Sequence, residues 1–140
     1  MIELVSIYEV QESPKVLYDL LSEREHNISH KRLPPWKDHI KFIDSKPYRK
    51  WFLVCVGETV VGSCYLSKQN EVGIFIFKQY QGKGYGLETV NKLVTEFNPL
   101  KEIPGIRSGQ FIANINPENE SSARLFQKLG FSHIGNIYRL

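Results

Sequence analysis

The sequence has no apolar run that approaches the roughly 20 residues needed to span a bilayer. Its first residues, MIELVSIYEV, also lack the basic and then apolar pattern of a signal peptide. The only two cysteines, Cys55 and Cys64, form no CxxC pair, which excludes a disulfide-rich scaffold. These absences predict a soluble, cytoplasmic protein that has no membrane partner and keeps both thiols reduced.

Metal-binding patterns are missing as well, because the four histidines show neither HExxH spacing nor a Cys/His cluster. We therefore expect no metal site.

An excess of one charge is also missing, since 18 basic and 15 acidic residues leave a net charge of +3. The nearest thing to a basic patch is Lys46, Arg49 and Lys50, which fits a solvated loop, with a phosphate or nucleic-acid contact as the alternative. We expect no nucleic-acid partner.

The sequence does contain enough apolar and aromatic residues for one core. It is 41% hydrophobic and has eight Phe, seven Tyr and two Trp, which argues against intrinsic disorder. No repeat, low-complexity tract or linker interrupts the 140 residues. We therefore expect a single domain over residues 1–140.

Hydrophobic periodicity predicts the element order β-α-α-β-β-β-α-β-α-β, an α+β or mixed-sheet domain. Ser13 is the expected N-cap of the first helix and Asn119 that of the last. Val72 to Phe77 is almost wholly apolar, which is typical of a strand with helices on both faces. The predicted strands are 2–8, 51–56, 59–66, 72–77, 110–115 and 131–140, and the predicted helices are 13–22 and three more around residues 36–43, 87–97 and 120–129.

A glycine-rich turn follows the apolar strand and opens a helix. Its glycines, Gly82, Gly84 and Gly86, alternate along the chain, which is costly unless the backbone must approach something closely. A helix N-terminus presents unpaired N–H groups with a partial positive charge, and Lys83 adds a full positive charge on a flexible side chain. The turn therefore predicts a phosphate or pyrophosphate site, with a flexible turn as the alternative.

Two common nucleotide motifs do not match this turn. A Rossmann fingerprint needs glycine where Leu87 stands, and the nearest approach to a Walker loop, residues 57–63, lacks the lysine. The spacing that matches is Gln/Arg-x-x-Gly-x-Gly/Ala, in Gln81, Gly84 and Gly86. A second block runs from Asn119 through Ser122, Leu125, Phe126, Lys128 and Leu129 to Gly130-Phe131. With these two motifs in order, the sequence resembles the GNAT acetyltransferase superfamily over about residues 50–135.

The resemblance implies an α+β fold with a mixed, mostly antiparallel central sheet flanked by helices on both faces. It also implies the transfer of acetyl from acetyl-CoA to a primary amine by direct attack, without a metal. The strand edge at Phe75, Ile76 and Phe77 would pair with the pantetheine arm, while Asn119 would lie near the thioester and Phe126 near the leaving sulfur. The pyrophosphate would bind the backbone of Gln81, Gly82, Lys83, Gly84, Tyr85 and Gly86.

The sequence departs from the family pattern at Phe126. Many relatives have a tyrosine there that protonates the leaving thiolate, and phenylalanine cannot donate a proton. The role is either moved or unnecessary, and the alternative is a non-catalytic acyl-CoA-binding or regulatory module. Only nine residues follow Phe131, so a last strand is either missing or supplied by a partner, and both a monomer and a homodimer are open.

The resemblance also suggests a base and an acceptor region. A glutamate often precedes the pyrophosphate turn at the start of the central strand, and Glu71 matches it best, with a solvated turn residue as the alternative. His26, His30 and His39 are the reserve candidates for the base.

The two N-terminal helices of this fold usually shape the acceptor site. They implicate His26, His30, Trp36 and Tyr48, although Trp36 at helical spacing also fits a core position. The expected acceptor is a small amine such as a nucleotide-linked amino sugar. Peptide N-termini, polyamines and antibiotics are the alternatives.

Overall fold

The computed structural model describes residues 1–24 and 32–140, and its centre is a four-stranded antiparallel sheet. The strands are β1 (Glu3–Ser6), β2 (Lys50–Val56), β3 (Thr59–Leu66) and β4 (Val72–Ile76), hydrogen-bonded in that order. The predicted hairpin joins β2 to β3, and its turn uses Gly57 in the left-handed region at φ +60°. β4 is therefore an edge strand.

In the described ranges, four α-helices accompany the sheet: α1 (Ser13–Glu23), α2 (Trp36–Asp44), α3 (Tyr85–Glu96) and α4 (Glu120–Lys128). The predicted cap of α4 is confirmed, since Asn119 Oδ1 accepts a hydrogen bond from the Ser122 N–H at 3.1 Å. The predicted cap of α1 is wrong, because Ser13 is already helical and buried and Glu12 precedes the helix. Within the described part of the chain, no helix combines the length and the apolar character that a membrane crossing requires.

The helices cover both faces of the sheet, which confirms the predicted α+β architecture. Neighbouring strand residues point to opposite faces, so Leu53 packs with α1 and α2 while Val54 packs with α3 and α4. The first core contains Ile7, Leu17, Leu20, Ile43 and Leu53, and the second contains Ile2, Val54, Val61, Cys64, Leu66, Val72, Val90, Leu93 and Phe126.

Two predicted strands, 110–115 and 131–140, do not form. Residues 110–115 contribute a single parallel bridge, in which the Val72 N–H donates to the Ile112 carbonyl at 2.8 Å. Residues 131–140 form no strand pairing with any described residue, and Ile134 and Ile137 are largely exposed. Alternating apolar residues indicate a segment with one apolar and one polar face. They do not indicate whether a neighbouring strand is there to pair with it. The parallel component of the sheet is thus reduced to one bridge.

Asn70 fastens this bridge to the turn between β3 and β4. It has a left-handed backbone, φ 67°, and is only 1% exposed. Its Nδ2 donates to the carbonyls of Leu100 (3.0 Å) and Ser108 (2.8 Å), and its Oδ1 accepts from the Leu100 N–H (2.7 Å). Its own carbonyl accepts from the Ile112 N–H at 2.9 Å. Through its side chain and its backbone carbonyl, Asn70 therefore holds residues 100–112 beside the start of β4.

We expect Asn70→Gly to lower the free energy of unfolding by about 3 kcal/mol. Three buried hydrogen bonds are lost, and the backbone groups of Leu100 and Ser108 that they satisfied are left without a partner. Lys46→Gly is the matched control, since Lys46 also has positive φ (50°) but is exposed. Glycine relieves the same backbone strain there, so the control should stay within about 1 kcal/mol of the wild type. Urea unfolding measures both variants, and equal stabilities would contradict the role of Asn70.

Candidate functional site

The outer edge of β4 is open beyond the bridge to Ile112. The Phe77 N–H donates to the Val61 carbonyl on β3, so strand alternation turns the backbone of Phe75 to β3 and the backbones of Ile74 and Ile76 outward. Among the described residues, no strand pairs with this edge. An extended ligand with amide groups can therefore hydrogen-bond there.

The three residues predicted to line this edge behave differently. Ile76 turns its backbone outward, and its carbonyl already accepts from Gln81 Nε2 at 2.9 Å. Phe77 uses its backbone internally, because its carbonyl accepts from the Tyr80 N–H. Phe75 and Phe77 can therefore contact an edge ligand only through their rings. The outward backbone of Ile74 is a candidate contact that the sequence interpretation did not name. The register of β4 against β3 is what identifies it.

The glycine-rich turn lies at the far end of this open edge. Gly82 and Gly84 have φ of +78° and +83°, and a Cβ on either would have open space within 4 Å. Gly84 is the N-cap residue of α3, and no side chain caps this helix. The first N–H groups of α3 are therefore available to an anion. Lys83 and Gln81 are exposed beside them.

Gly86 has a packing role that its place in the motif did not predict. A Cβ there would lie 2.9 Å from Leu125 Cδ1 on α4 and 3.9 Å from Ile76 Cγ1 on β4. The absence of a side chain thus lets α3 approach α4. Tyr85, next to it, packs half-buried against the same core.

The two predicted contacts on α4 are fixed within the fold. Asn119 uses Oδ1 to cap the helix, as described above. Phe126 is only 3% exposed and packs edge-to-face on Phe131, with ring centroids 5.0 Å apart. The ring that replaces the family's tyrosine is thus a core side chain.

Glu71 lies at the other end of the open edge, where β4 begins. Its carboxylate accepts a hydrogen bond from Asn114 Nδ2, and its N–H donates to Ser67 Oγ at 3.0 Å. The side chain is half-buried. Glu71 is therefore held in place on two sides, unlike a freely solvated turn residue. Asn114 was not predicted, because it lies 43 residues away and reaches Glu71 through the bridge at Ile112.

An aromatic platform, made of Tyr48, Tyr65 and Phe75, adjoins Glu71 on the face that α1 and α2 cover. The rings of Tyr48 and Tyr65 are stacked at 3.9 Å with 8° between their planes. The Tyr65 ring also lies over Gly73, where a Cβ would overlap it, and 6.2 Å from the Phe75 ring. Of the two predicted acceptor residues that lie within the described part of the chain, Trp36 and Tyr48, the structure brings Tyr48 to this site.

The electrostatics of the platform link it to Glu71 and to Arg24. Burial raises the pKa of Tyr65, and the Glu71 carboxylate raises it further. Burial and then Tyr65 raise the pKa of Tyr48 as well. Both phenols therefore stay protonated at neutral pH and can donate hydrogen bonds. Arg24 opposes these shifts at both tyrosines, which places its charge beside them.

Trp36 and the reserve base candidate His39 lie away from this site. Trp36 is 45% exposed and packs on Tyr18 and His39, with ring centroids at 5.0 and 5.5 Å. His39 is buried, and its Nε2 lies 2.8 Å from the Pro14 carbonyl, so it joins α2 to α1. His26 and His30 lie outside the described residues. No group of three or more His, Cys, Asp or Glu within residues 1–24 and 32–140 is arranged to hold a metal.

A family model described as an acetyltransferase (GNAT) domain matches residues 5–132. Comparison with curated proteins finds no significant match. Many solved structures share the fold, however, and three of them illustrate the range.

A ribosomal L7/L12 α-N-protein acetyltransferase in complex with coenzyme A has a TM-score of 0.72 at 16% identity, covering 96% of this chain and 81% of that one. A domain from Methanocaldococcus jannaschii has a TM-score of 0.69 at 24% identity, with 94% and 87% covered. The yncA protein of Salmonella typhimurium, with its cofactor acetyl-CoA, has a TM-score of 0.64 at 17% identity, with 94% and 79% covered. At these identities the likeness concerns the fold.

We expect Gly84→Asp to weaken acetyl-CoA binding at least tenfold, because a carboxylate at the N-terminus of α3 would repel a pyrophosphate. Gly84→Asn has nearly the same shape without the charge and should lose less affinity. Gly57→Asp is the matched control, since Gly57 also has positive φ and open surroundings but lies in the hairpin turn. Titration calorimetry measures all three variants, and equal affinity in Gly84→Asp and the wild type would exclude this anion site.

Proposed function

The chain belongs to the GNAT acetyltransferase family, and we propose that it transfers the acetyl group of acetyl-CoA to the primary amine of a small acceptor by direct attack. A nucleotide-linked amino sugar is one such acceptor, and the proposed location of the reaction is the cytoplasm. The observation that carries the proposal is the open edge of β4, which joins the glycine-rich turn at one end to Glu71 at the other.

The dimensions of the edge suit the cofactor. With the pyrophosphate at the first turn of α3, the pantetheine arm would run back along β4 and bond the outward backbone groups of Ile76 and Ile74. A strand rises about 3.3 Å per residue, so the α-carbons of Glu71 and Ile76 are about 17 Å apart along the strand. The thioester at the end of the arm would thus approach Glu71 and the aromatic platform. Tyr48 and Tyr65 would then contact the acceptor.

The chemistry needs one base. A neutral amine attacks the thioester carbonyl, an N–C bond forms, and Glu71 accepts the amine proton directly or through water. The tetrahedral intermediate then breaks its C–S bond and releases CoA thiolate. A thiol has a pKa of about 8.5, so the thiolate can leave without a general acid and take its proton from water. The buried Phe126 ring is compatible with this route.

Phe126 is also the observation that favours the second candidate function, a non-catalytic acyl-CoA-binding module. Release of free CoA thiol from acetyl-CoA distinguishes the two. The panel should contain nucleotide-linked amino sugars, simple amines, polyamines and peptides with a free α-amino group. Turnover with any of these amines supports the enzyme. Tight acetyl-CoA binding without CoA release on the whole panel would support the module and overturn the proposal.

We expect Glu71→Gln to lower kcat at least tenfold near neutral pH while acetyl-CoA affinity changes little. The glutamine oxygen can still accept from Asn114, so the local geometry is kept and only the basic group is lost. Glu58→Gln is the control, because Glu58 is an exposed residue of the hairpin turn. Steady-state kinetics with calorimetry measure both properties. A normal turnover and pH profile in Glu71→Gln would remove Glu71 from the mechanism.

A further inference from the structure

Arg24 is a cation that the proposed chemistry does not use. It is the C-cap residue of α1, and its guanidinium carbon lies 4.2 Å from the centroid of the Phe75 ring. The residue is half-buried, and burial lowers the pKa of its guanidinium. A guanidinium is costly to desolvate unless an anion or an aromatic face compensates it.

No carboxylate among the described residues forms an ion pair with Arg24. The adjacent Glu23 is directed elsewhere, since its Oε1 accepts from the Lys78 N–H at 2.9 Å. Within the described residues, the guanidinium of Arg24 interacts with aromatic side chains. It lies over the Phe75 ring, and Tyr65 and Tyr48 are nearby. No group among the described residues accepts a hydrogen bond from the guanidinium N–H groups of Arg24. Such groups bind planar anions such as carboxylate and phosphate.

Arg24 and Glu71 lie on the same face of β4. Side chains two residues apart share a face of a strand, so Glu71, Gly73 and Phe75 follow one another along it. Tyr65 fills the space over Gly73, and Arg24 covers Phe75. The α-carbons of Glu71 and Phe75 are about 13 Å apart by strand geometry. The aromatic platform is thus flanked by a carboxylate at one end and a cation at the other.

We propose that Arg24 binds an anionic group of the acceptor, so that this acetyltransferase acts on an amine that also carries a carboxylate or a phosphate. The inference rests on the proposed function, because Glu71 defines where the amine binds. The platform sets the distance between the two charged groups, and its tyrosine hydroxyls contact the part of the acceptor between them. A polyamine would instead place a second cation beside Arg24, which repels it.

A purely structural role is the competing explanation, in which Arg24 only fastens the end of α1 to β4. Loss of such a contact would lower the stability and affect every acceptor to the same extent. Loss of an anion site would change the ratio of kcat/KM between a charged acceptor and its neutral analogue. This ratio is therefore the readout, and thermal unfolding is recorded beside it.

The test uses two pairs of probes that differ in the anion alone and whose chains are long enough to reach from Glu71 towards Arg24: 6-aminohexanoate against 6-aminohexanamide, and 4-aminobutyl phosphate against 4-amino-1-butanol. We expect the wild type to prefer the charged member of at least one pair by tenfold or more in kcat/KM. The pair with the larger kcat/KM ratio shows whether Arg24 prefers a carboxylate or a phosphate. In Arg24→Gln the ratio should fall to about one, and Arg24→Lys should keep part of it, since lysine has the charge without the planar fork. Arg124→Gln, an exposed arginine on α4, is the control.

Binding measurements keep the test independent of turnover. Calorimetry of 4-aminobutyl phosphate and of 6-aminohexanoate against the protein saturated with CoA should detect one of them in the wild type and neither in Arg24→Gln. If no amine of the panel releases CoA while this binding persists, the proposed function fails and the anion site stands. A wild type without charge preference in kinetics or binding, or a preference that survives in Arg24→Gln, overturns the inference. Should Arg24→Gln fail to fold, a reduced ratio in Arg24→Lys supports the inference and an unchanged ratio overturns it.

Discussion

The buried side chain of Asn70 is the interaction on which the site depends. The side chain donates to two carbonyls and accepts from one N–H within residues 100–108. The backbone carbonyl of Asn70 accepts a further hydrogen bond from the Ile112 N–H. These bonds bring a distant loop to the start of β4 and no further along it. Asn114 then reaches Glu71, while the rest of the strand edge stays open. The same residue thus positions the segment that carries Asn114 and, through it, the proposed base.

An exposed strand edge usually favours aggregation, and proteins cover or interrupt it. Here the covering partner is proposed to be the cofactor. The two faces of β4 serve different purposes in this arrangement. Ile74 and Ile76 point into the core with α3 and α4, whereas Glu71 and Phe75 lie on the face that α1 and α2 cover. One strand can therefore bind the cofactor along its edge and the acceptor on its face.

Much of the fold could be predicted from local sequence signals. The strands β2, β3 and β4 and all four helices follow from apolar periodicity, and Asn119 and the hairpin glycine Gly57 have clear local signatures. The glycine-rich turn and its position before a helix were visible for the same reason. The strands predicted at 110–115 and 131–140 failed because strand formation needs a partner, and alternation carries no information about that partner.

The sequence by itself determined the four helices, the strands β1 to β4, the two motifs and the family resemblance, since each depends on residues close together in the chain. It did not indicate which aromatic residues meet. Trp36 joined the contact between α1 and α2, while Tyr65 and Arg24 joined Tyr48 beside Glu71. These choices rest on packing between segments far apart in the chain, where the register of β4 and the missing side chain of Gly73 decide which ring fits. Only the tertiary structure therefore reveals that a cation and a carboxylate flank one aromatic surface.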